Sequence, residues 1–107
     1  MTDVNPIIAE IEALLDDDAP RTLDEIEDTL TSGYAGALAL EAERWRIERR
    51  ISELASEFGG EADFELHRAE EIVRLAQGLT AADVDLIRLR ESLESLRERA
   101  DAARAAA

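Results

Sequence analysis

The sequence contains no cysteine and no lysine, and it has few aromatic, proline or glycine residues. Without cysteine, the chain forms no disulfide, binds no metal through thiolates and has no thiolate nucleophile. With only 2 Pro and 5 Gly among 107 residues, helices are interrupted at few points. No segment shows the alternating, β-branched pattern of a strand, so the composition predicts an all-α fold.

The chain is strongly acidic. All twelve basic residues are arginine, 26 residues are acidic, and the net charge is −14. Residues 1–31 hold ten acids and one arginine, a net charge of −9. Phosphate groups bind to basic surfaces, so we expect no nucleic acid partner and no adhesion to anionic membranes. A GC-rich genome and a high-salt cytoplasm both favour arginine over lysine, and the sequence leaves both explanations open.

Targeting signals are not evident. Residues 1–18 lack the basic start and the long apolar core of a secretory signal. The longest apolar run is shorter than the roughly 20 residues that cross a bilayer. We therefore expect a cytoplasmic protein, and the length is typical of one domain.

A heptad pattern predicts one long helix over residues 23–58. Thr22 and Glu25 form a T-x-x-E capping box at its start, and Gly59 and Gly60 follow its end. The positions of the seam alternate steps of three and four residues, which is the spacing that faces one partner helix. They are Leu23, Ile26, Leu30, Gly33, Ala37, Leu40, Arg44, Ile47, Ile51, Leu54 and Phe58.

Residues 1–21 are predicted to form a short helix over residues 6–17 and an acidic turn. Asn5 is a favourable N-cap residue, and Pro6 suits the first helical position. We expect the acidic residues 16–18 to face three arginines near the end of the sequence: Arg97, Arg99 and Arg104.

Residues 22–107 are predicted to form an elongated antiparallel helical hairpin. After a turn at residues 59–61, the second arm comprises helices over residues 62–77 and 81–106. A single helix with a kink near Gly78 is the alternative. The seam of this arm is Leu79, Ala82, Leu86, Leu89, Leu93, Leu96, Ala100, Ala103 and Ala107.

The two seams predict a register for the hairpin. If the chain folds back at Gly59 and Gly60, Leu40 lies opposite Leu79 and Gly33 lies opposite Leu86. The stretch 33–40 is apolar on all sides and rich in small residues, which favours close packing between neighbouring helices over a hinge. We therefore expect Gly33 and Gly36 to serve packing.

A two-helix hairpin leaves apolar positions uncovered. Tyr34, Leu38 and Trp45 form a second stripe on the long helix, and Ile72 and Val73 belong to a broad apolar face of the next helix. We predict that these five residues form the interface of a homodimeric helical bundle. A helix of 36 residues is about 54 Å long, so the monomer is expected to be elongated.

The single histidine, His67, is a candidate metal ligand. His67 lies three and four residues from Glu70, Glu71 and Asp63 on a predicted helix. The Glu-x-x-His spacing of di-metal helical bundles does not occur there, because Glu65 precedes His67 by only two residues. We interpret His67 as a partly exposed structural residue and expect no cofactor.

The run over residues 43–50 is the one basic stretch. A basic patch with Trp45 is compatible with binding of nucleic acid or phosphate. Helical spacing instead favours a salt-bridged surface, with Arg46 and Arg50 paired to Glu43, Glu53 or Glu57. Trp45 is then expected to be a packing anchor, or a partner-binding residue if it proves exposed beside Tyr34.

No nucleophile–base pair and no glycine-rich phosphate loop is recognisable, so we expect no enzymatic activity. The leading hypothesis is a non-enzymatic helical interaction or scaffolding module that acts as a homodimer and binds an unidentified protein. A second hypothesis is an acidic decoy or inhibitor of a basic protein surface, like a nucleic-acid mimic or an antitoxin, based on residues 1–31. A metal-binding helical bundle is the third.

Overall fold

The computed structural model describes residues 2–16, 21–57 and 59–106, which form three helices. Helix α1 spans Asn5–Leu15, α2 spans Leu23–Ser56 and α3 spans Ala62–Ala106. The predicted all-α, elongated fold is confirmed, with extents of 67 × 19 × 15 Å and a radius of gyration of 19.3 Å. At about 1.5 Å per residue, the 45 residues of α3 account for the full length.

The ends of α2 follow from local chemistry. The Glu25 N–H donates to Thr22 Oγ1 at 3.2 Å, so the predicted N-cap is confirmed. At the other end the Glu57 N–H donates to the Leu54 carbonyl at 3.2 Å, and Phe58 lies outside the described residues. Gly59 has φ = +122°, a conformation that side chains with a Cβ rarely adopt, so the turn after α2 requires glycine there.

The predicted start of α1 was wrong. The helix begins at Asn5 itself, and its N-cap position is Val4. The Asp3 carboxylate, two residues earlier, accepts the Asn5 N–H at 3.0 Å, so Asn5 is drawn into the helix. Val4 is only 2% exposed and contributes to the core. The helix ends at Leu15, two residues before the predicted end.

The two helices predicted over 62–77 and 81–106 are one continuous helix. Gly78 lies inside α3, and Thr80 Oγ1 donates to the Ala76 carbonyl at 3.1 Å instead of capping a new helix. A single helical glycine costs only about 1 kcal/mol relative to alanine. The heptad spacing continues unbroken through Leu75, Leu79 and Ala82, so packing against α2 outweighs that cost.

Helix α1 runs antiparallel to α2 and parallel to α3. The Thr2 N–H donates to Glu43 at 3.1 Å, and Thr29 donates to Glu10 at 3.4 Å. Near α3, the Leu15 carbonyl accepts from Arg99 at 2.9 Å. The buried core joins all three helices and consists of Val4, Ile8, Ile11, Leu14, Ile26, Leu30, Ala37, Leu40, Leu86, Leu89, Leu93, Leu96 and Ala100.

The molecule therefore has two ends with different construction. The three-helix end consists of α1 with residues 23–43 of α2 and residues 83–106 of α3. The arm consists of residues 44–56 of α2 and 62–82 of α3, where no third helix covers the hairpin. In the arm, Leu54 and Ala82 are buried, whereas the remaining seam residues are half-buried or exposed.

The predicted hairpin register was wrong by one heptad. Gly33 contacts Leu93, not Leu86; a Cβ at Gly33 would clash with the Leu93 side chain. The shift in register arises at the turn, because the first residues of α3 extend in space past the last residues of α2. Arg68, seven residues into α3, reaches Glu57 at 3.5 Å, just after the last residue of α2. Two seams with the same seven-residue repeat meet equally well in either register.

Close packing at Gly33 is confirmed. Besides Leu93, the side chain of Ile11 lies 3.5 Å from where a Cβ would be, so Gly33 lies where all three helices meet. Gly36 is less crowded, since its nearest neighbours lie at 3.6–3.8 Å. Glycine is therefore required at position 33 and tolerated at position 36.

Candidate interaction face

Large apolar side chains are concentrated on the side of the hairpin opposite α1. We call six of them the apolar face: Tyr34, Leu38, Trp45, Leu66, Val73 and Ile87. Their exposed fractions range from 43% at Tyr34 to 67% at Leu38. Only Phe64 and Val84, among the exposed large apolar residues of the described ranges, point elsewhere on α3.

Heptad geometry places these residues together. Leu38 and Trp45 are seven residues apart on α2, and Leu66, Val73 and Ile87 are spaced by multiples of seven on α3, so each set follows one stripe. The ion pair between Glu41 and Arg90 crosses from α2 to α3 on the same side.

Four of the five predicted interface residues lie on the apolar face: Tyr34, Leu38, Trp45 and Val73. Ile72 does not, because it occupies a half-buried seam position between α2 and α3. The prediction missed Leu66 and Ile87. The signal for both was present, since they lie seven residues before and fourteen after Val73, with Thr80 between.

Trp45 is not a packing anchor. Its side chain is 59% exposed, and the Arg49 guanidinium lies 5.3 Å from the ring centroid. A cation over the face of an exposed indole contributes about 0.5–1 kcal/mol. The opposite surface of the ring remains available for a contact with another molecule.

A groove lies between α2 and α3 at the three-helix end, with a volume of about 720 Å³. Its apolar part comprises Tyr34, Ala37, Leu38 and Leu93. The polar rim consists of Glu41, Arg90, Glu94, Arg97, Glu98 and Asp101. The groove thus continues the apolar face toward the acidic end of the molecule.

The charges near the apolar face neutralise one another. Arg44 lies 2.5 Å from Asp83 across the hairpin and 3.2 Å from Glu48 on its own helix. Arg90 pairs with Glu41. The two arginines neutralise two of these three carboxylates and leave a net charge of −1, in contrast with the net −9 of residues 1–31.

The basic run over residues 43–50 is salt-bridged, and of the predicted pairs the one between Arg50 and Glu53 is present. Arg50 lies 3.6 Å from Glu53 and 3.3 Å from Glu71, and Arg49 lies 3.4 Å from Glu53. Glu57 pairs with Arg68 rather than with the run. Exposed pairs of this kind contribute about 0–1 kcal/mol each.

Arginines reach α1 differently from the prediction. Arg99 donates to the Leu15 carbonyl at 2.9 Å, because the last carbonyls of a helix have no intrahelical donor. Arg104 pairs with Glu27 at 2.9 Å and Asp101 at 2.8 Å. Two of the three predicted acidic partners, Asp17 and Asp18, lie outside the described residues.

His67 is exposed on α3. Within residues 2–16, 21–57 and 59–106, no three histidine or carboxylate side chains converge to hold a metal ion. In the same ranges, each helix is too short or too polar to cross a membrane. Comparison with known protein families, curated proteins and solved structures found no match to this chain.

Proposed function

We propose that the protein is a non-enzymatic, cytoplasmic interaction module that acts as a homodimer, with the apolar face as its contact surface. The observation that supports this is the concentration of exposed apolar side chains on one side of the hairpin. Scattered apolar residues are normal on protein surfaces, whereas a patch larger than a few hundred Å² is typical of an interaction site.

The size of the apolar face agrees with this role. Half-exposed side chains of this size leave on the order of 100 Å² each in water, so the six present roughly 600 Å². Two such faces remove roughly 1,200 Å² when they pack together, which reaches the lower limit of stable interfaces. Neutralised charges around the face limit the repulsion between two acidic chains.

The mass in solution tests the homodimer. Light scattering on a sizing column is expected to give twice the chain mass at both low and high salt, because burial of apolar surface is not screened by ions. Leu38→Asp combined with Val73→Asp is expected to give a monomer with unchanged helix content. A wild-type monomer at every concentration and salt would contradict the proposal.

The dimer leaves the three-helix end available for another protein. Residues 1–31 carry the net −9, and the acids of α1 and of the first turns of α2 are exposed, including Glu10, Glu12, Asp24, Glu25 and Asp28. These carboxylates support a second candidate function, in which this end binds a basic protein surface as a decoy or inhibitor.

Salt dependence separates the two functions. If the acidic end is the binding surface, polyarginine is expected to bind at low salt and to lose at least about tenfold in affinity at high salt. Replacing Glu10, Glu12, Asp24 and Asp28 with their amides is expected to abolish that binding. Amide replacement of Glu61, just before α3, and of Asp63, Glu70 and Glu91 within α3 is the control with equal charge change. Equal effects of the two sets would refute a specific acidic site.

A further inference from the structure

Helix α3 carries a second heptad seam in addition to the one that packs against α2. We call it the outer seam; its members are Ala62, Leu66, Ala69, Val73, Ala76, Thr80, Asp83 and Ile87. The steps alternate four and three residues throughout. Leu66, Val73 and Ile87 are each more than half exposed, so no element of the described chain covers this seam. It includes the α3 part of the apolar face.

The outer seam has the composition of a helix–helix contact. Small residues separate the large ones, so another helix can approach closely. Its one charged member, Asp83, already has a partner in Arg44 at 2.5 Å. On α2, by contrast, the corresponding stripe carries Glu41 and Glu48 among its apolar members, so α3 is the better element for a close contact.

We propose that two copies of the chain pack through their outer seams with the two α3 helices antiparallel, so that Val73 of each copy faces Ala76 of the other. This inference rests on the proposed homodimer and specifies its geometry. The same alignment places Ile87 of one copy opposite Ala62 of the other, and Leu66 opposite Asp83, whose carboxylate is paired with Arg44.

Charge supports the antiparallel direction. Glu70 and Asp63 flank the outer seam on its exposed side, at successive heptads. In the antiparallel alignment they lie beside Gln77 and Val84 of the other copy. A parallel, in-register pair would instead place Glu70 of each copy beside Glu65 of the other, and like charges at these flanking positions disfavour that arrangement.

The extent of the contact agrees with the size of the apolar face. The overlap from Ala62 to Ile87 is about 39 Å long at 1.5 Å per residue. Trp45 follows Arg44, which pairs with Asp83, so the indole lies within the overlap. Leu38 and Tyr34 lie level with Arg90, next to Ile87, so the groove that they line borders the end of the contact.

Distances between spin labels test the geometry. Because the chain has no cysteine, Gln77→Cys and Glu91→Cys each create a single labelling position on the exposed side of α3. In the antiparallel dimer, residues 77 of the two copies are offset by about 8 Å along the helix, and residues 91 by about 50 Å. We expect a short distance at 77 and a distance near 50 Å at 91.

The outcomes are distinct. Short distances at both positions would mean parallel helices and would overturn the inference while leaving the homodimer intact. Long distances at both would mean that another surface forms the dimer. If light scattering of the same labelled samples and of the wild-type chain gives a monomer, the proposed function fails, and the inference fails with it.

A pair of charge variants provides an independent measurement. Ala76→Glu introduces a carboxylate at the centre of the outer seam, whereas Ala81→Glu introduces the same charge at an exposed position of α3 away from it. Ala76→Glu is expected to weaken dimerisation about 100-fold, because the buried carboxylate has no partner. Ala81→Glu is expected to have little effect. Equal effects of the two variants would overturn the geometry.

Discussion

The three-helix end and the arm are made from the same two helices, yet they are stabilised differently. At the three-helix end, α1 covers one side of the hairpin, and residues such as Ile11, Leu89 and Leu96 are fully buried. In the arm the same heptad positions are mostly half-buried, and three of them are charged: Arg44, Glu65 and Arg68. A closed core thus forms where a third helix covers a fully apolar seam, and the arm has neither feature.

Core truncation is expected to give the largest difference between the two ends. Leu89→Ala removes a side chain with no exposure and is expected to destabilise the chain by about 2–5 kcal/mol. Leu75→Ala in the arm is the matched substitution at a half-buried seam position, with an expected loss of about 1 kcal/mol in the monomer. Chemical denaturation of dilute protein measures both. Equal losses would mean that the arm is as well packed as the three-helix end.

Glycine replacement is expected to act with opposite sign at the two ends. Gly33→Ala forces its Cβ into the Leu93 side chain, and overpacking of this kind costs about 1–3 kcal/mol, which exceeds the gain in helix propensity. Thermal unfolding of the variant is expected to show a lower Tm than that of the wild type. A Tm equal to the wild-type value would show that Leu93 can move aside without loss.

In the arm, Gly78→Ala is expected to stabilise α3 by about 0.5–1 kcal/mol. The nearest atom to a Cβ at position 78 is Ile47 Cδ1 at 3.8 Å, an ordinary contact, so only the gain in helix propensity remains. The same thermal unfolding measures it. A decrease in Tm would indicate that position 78 needs the freedom of glycine.

Cross-helix ion pairs are expected to have the smallest effect, similar at both ends. Arg104→Gln removes the pairing with Glu27 at the three-helix end, and Arg50→Gln removes the pairing with Glu71 in the arm. Both pairs are partly exposed, so each loss is expected to be about 0–1 kcal/mol and to vanish in high salt. A double-mutant cycle at two salt concentrations measures them. A larger, salt-independent coupling energy for the pair in the arm would show that ion pairs stabilise the arm where a closed core is absent.

The helices could be predicted because apolar spacing and capping are local properties. Thr22 and Glu25 determine where α2 begins, whatever packs against it. The register could not be predicted, because a seven-residue repeat fits equally well when shifted by seven, and the overshoot of α3 beyond α2 depends on the turn. The prediction of Asn5 as the N-cap was wrong because the Asp3 carboxylate, two residues earlier, accepts the Asn5 N–H and Asn5 itself becomes the first residue of the helix.

The apolar face was predicted only in part. Leu38, Trp45 and Val73 fall outside the seam that pairs α2 with α3, and that alone indicated a surface role. Ile87 was missed because the second arm was treated as two helices, which separated it from Val73. Leu66 lies in the same predicted helix as Val73, and their spacing of seven residues was not used. Once α3 is continuous, their shared heptad stripe becomes evident. Which face of a half-apolar helix becomes buried also depends on where α1 packs. Because α1 is short, its own apolar pattern does not determine that position.

The unbroken course of α3 has a mechanical consequence. A break at Gly78 would have divided the molecule into two segments joined by a hinge. A continuous helix of 45 residues instead has a fixed length. In the proposed antiparallel dimer, two such helices joined along their arms would form a rod about 95 Å long, at 1.5 Å per residue, with an acidic tip at each pole. Two partners bound at the tips would then be held apart by a distance that is set by the helix rather than by a linker.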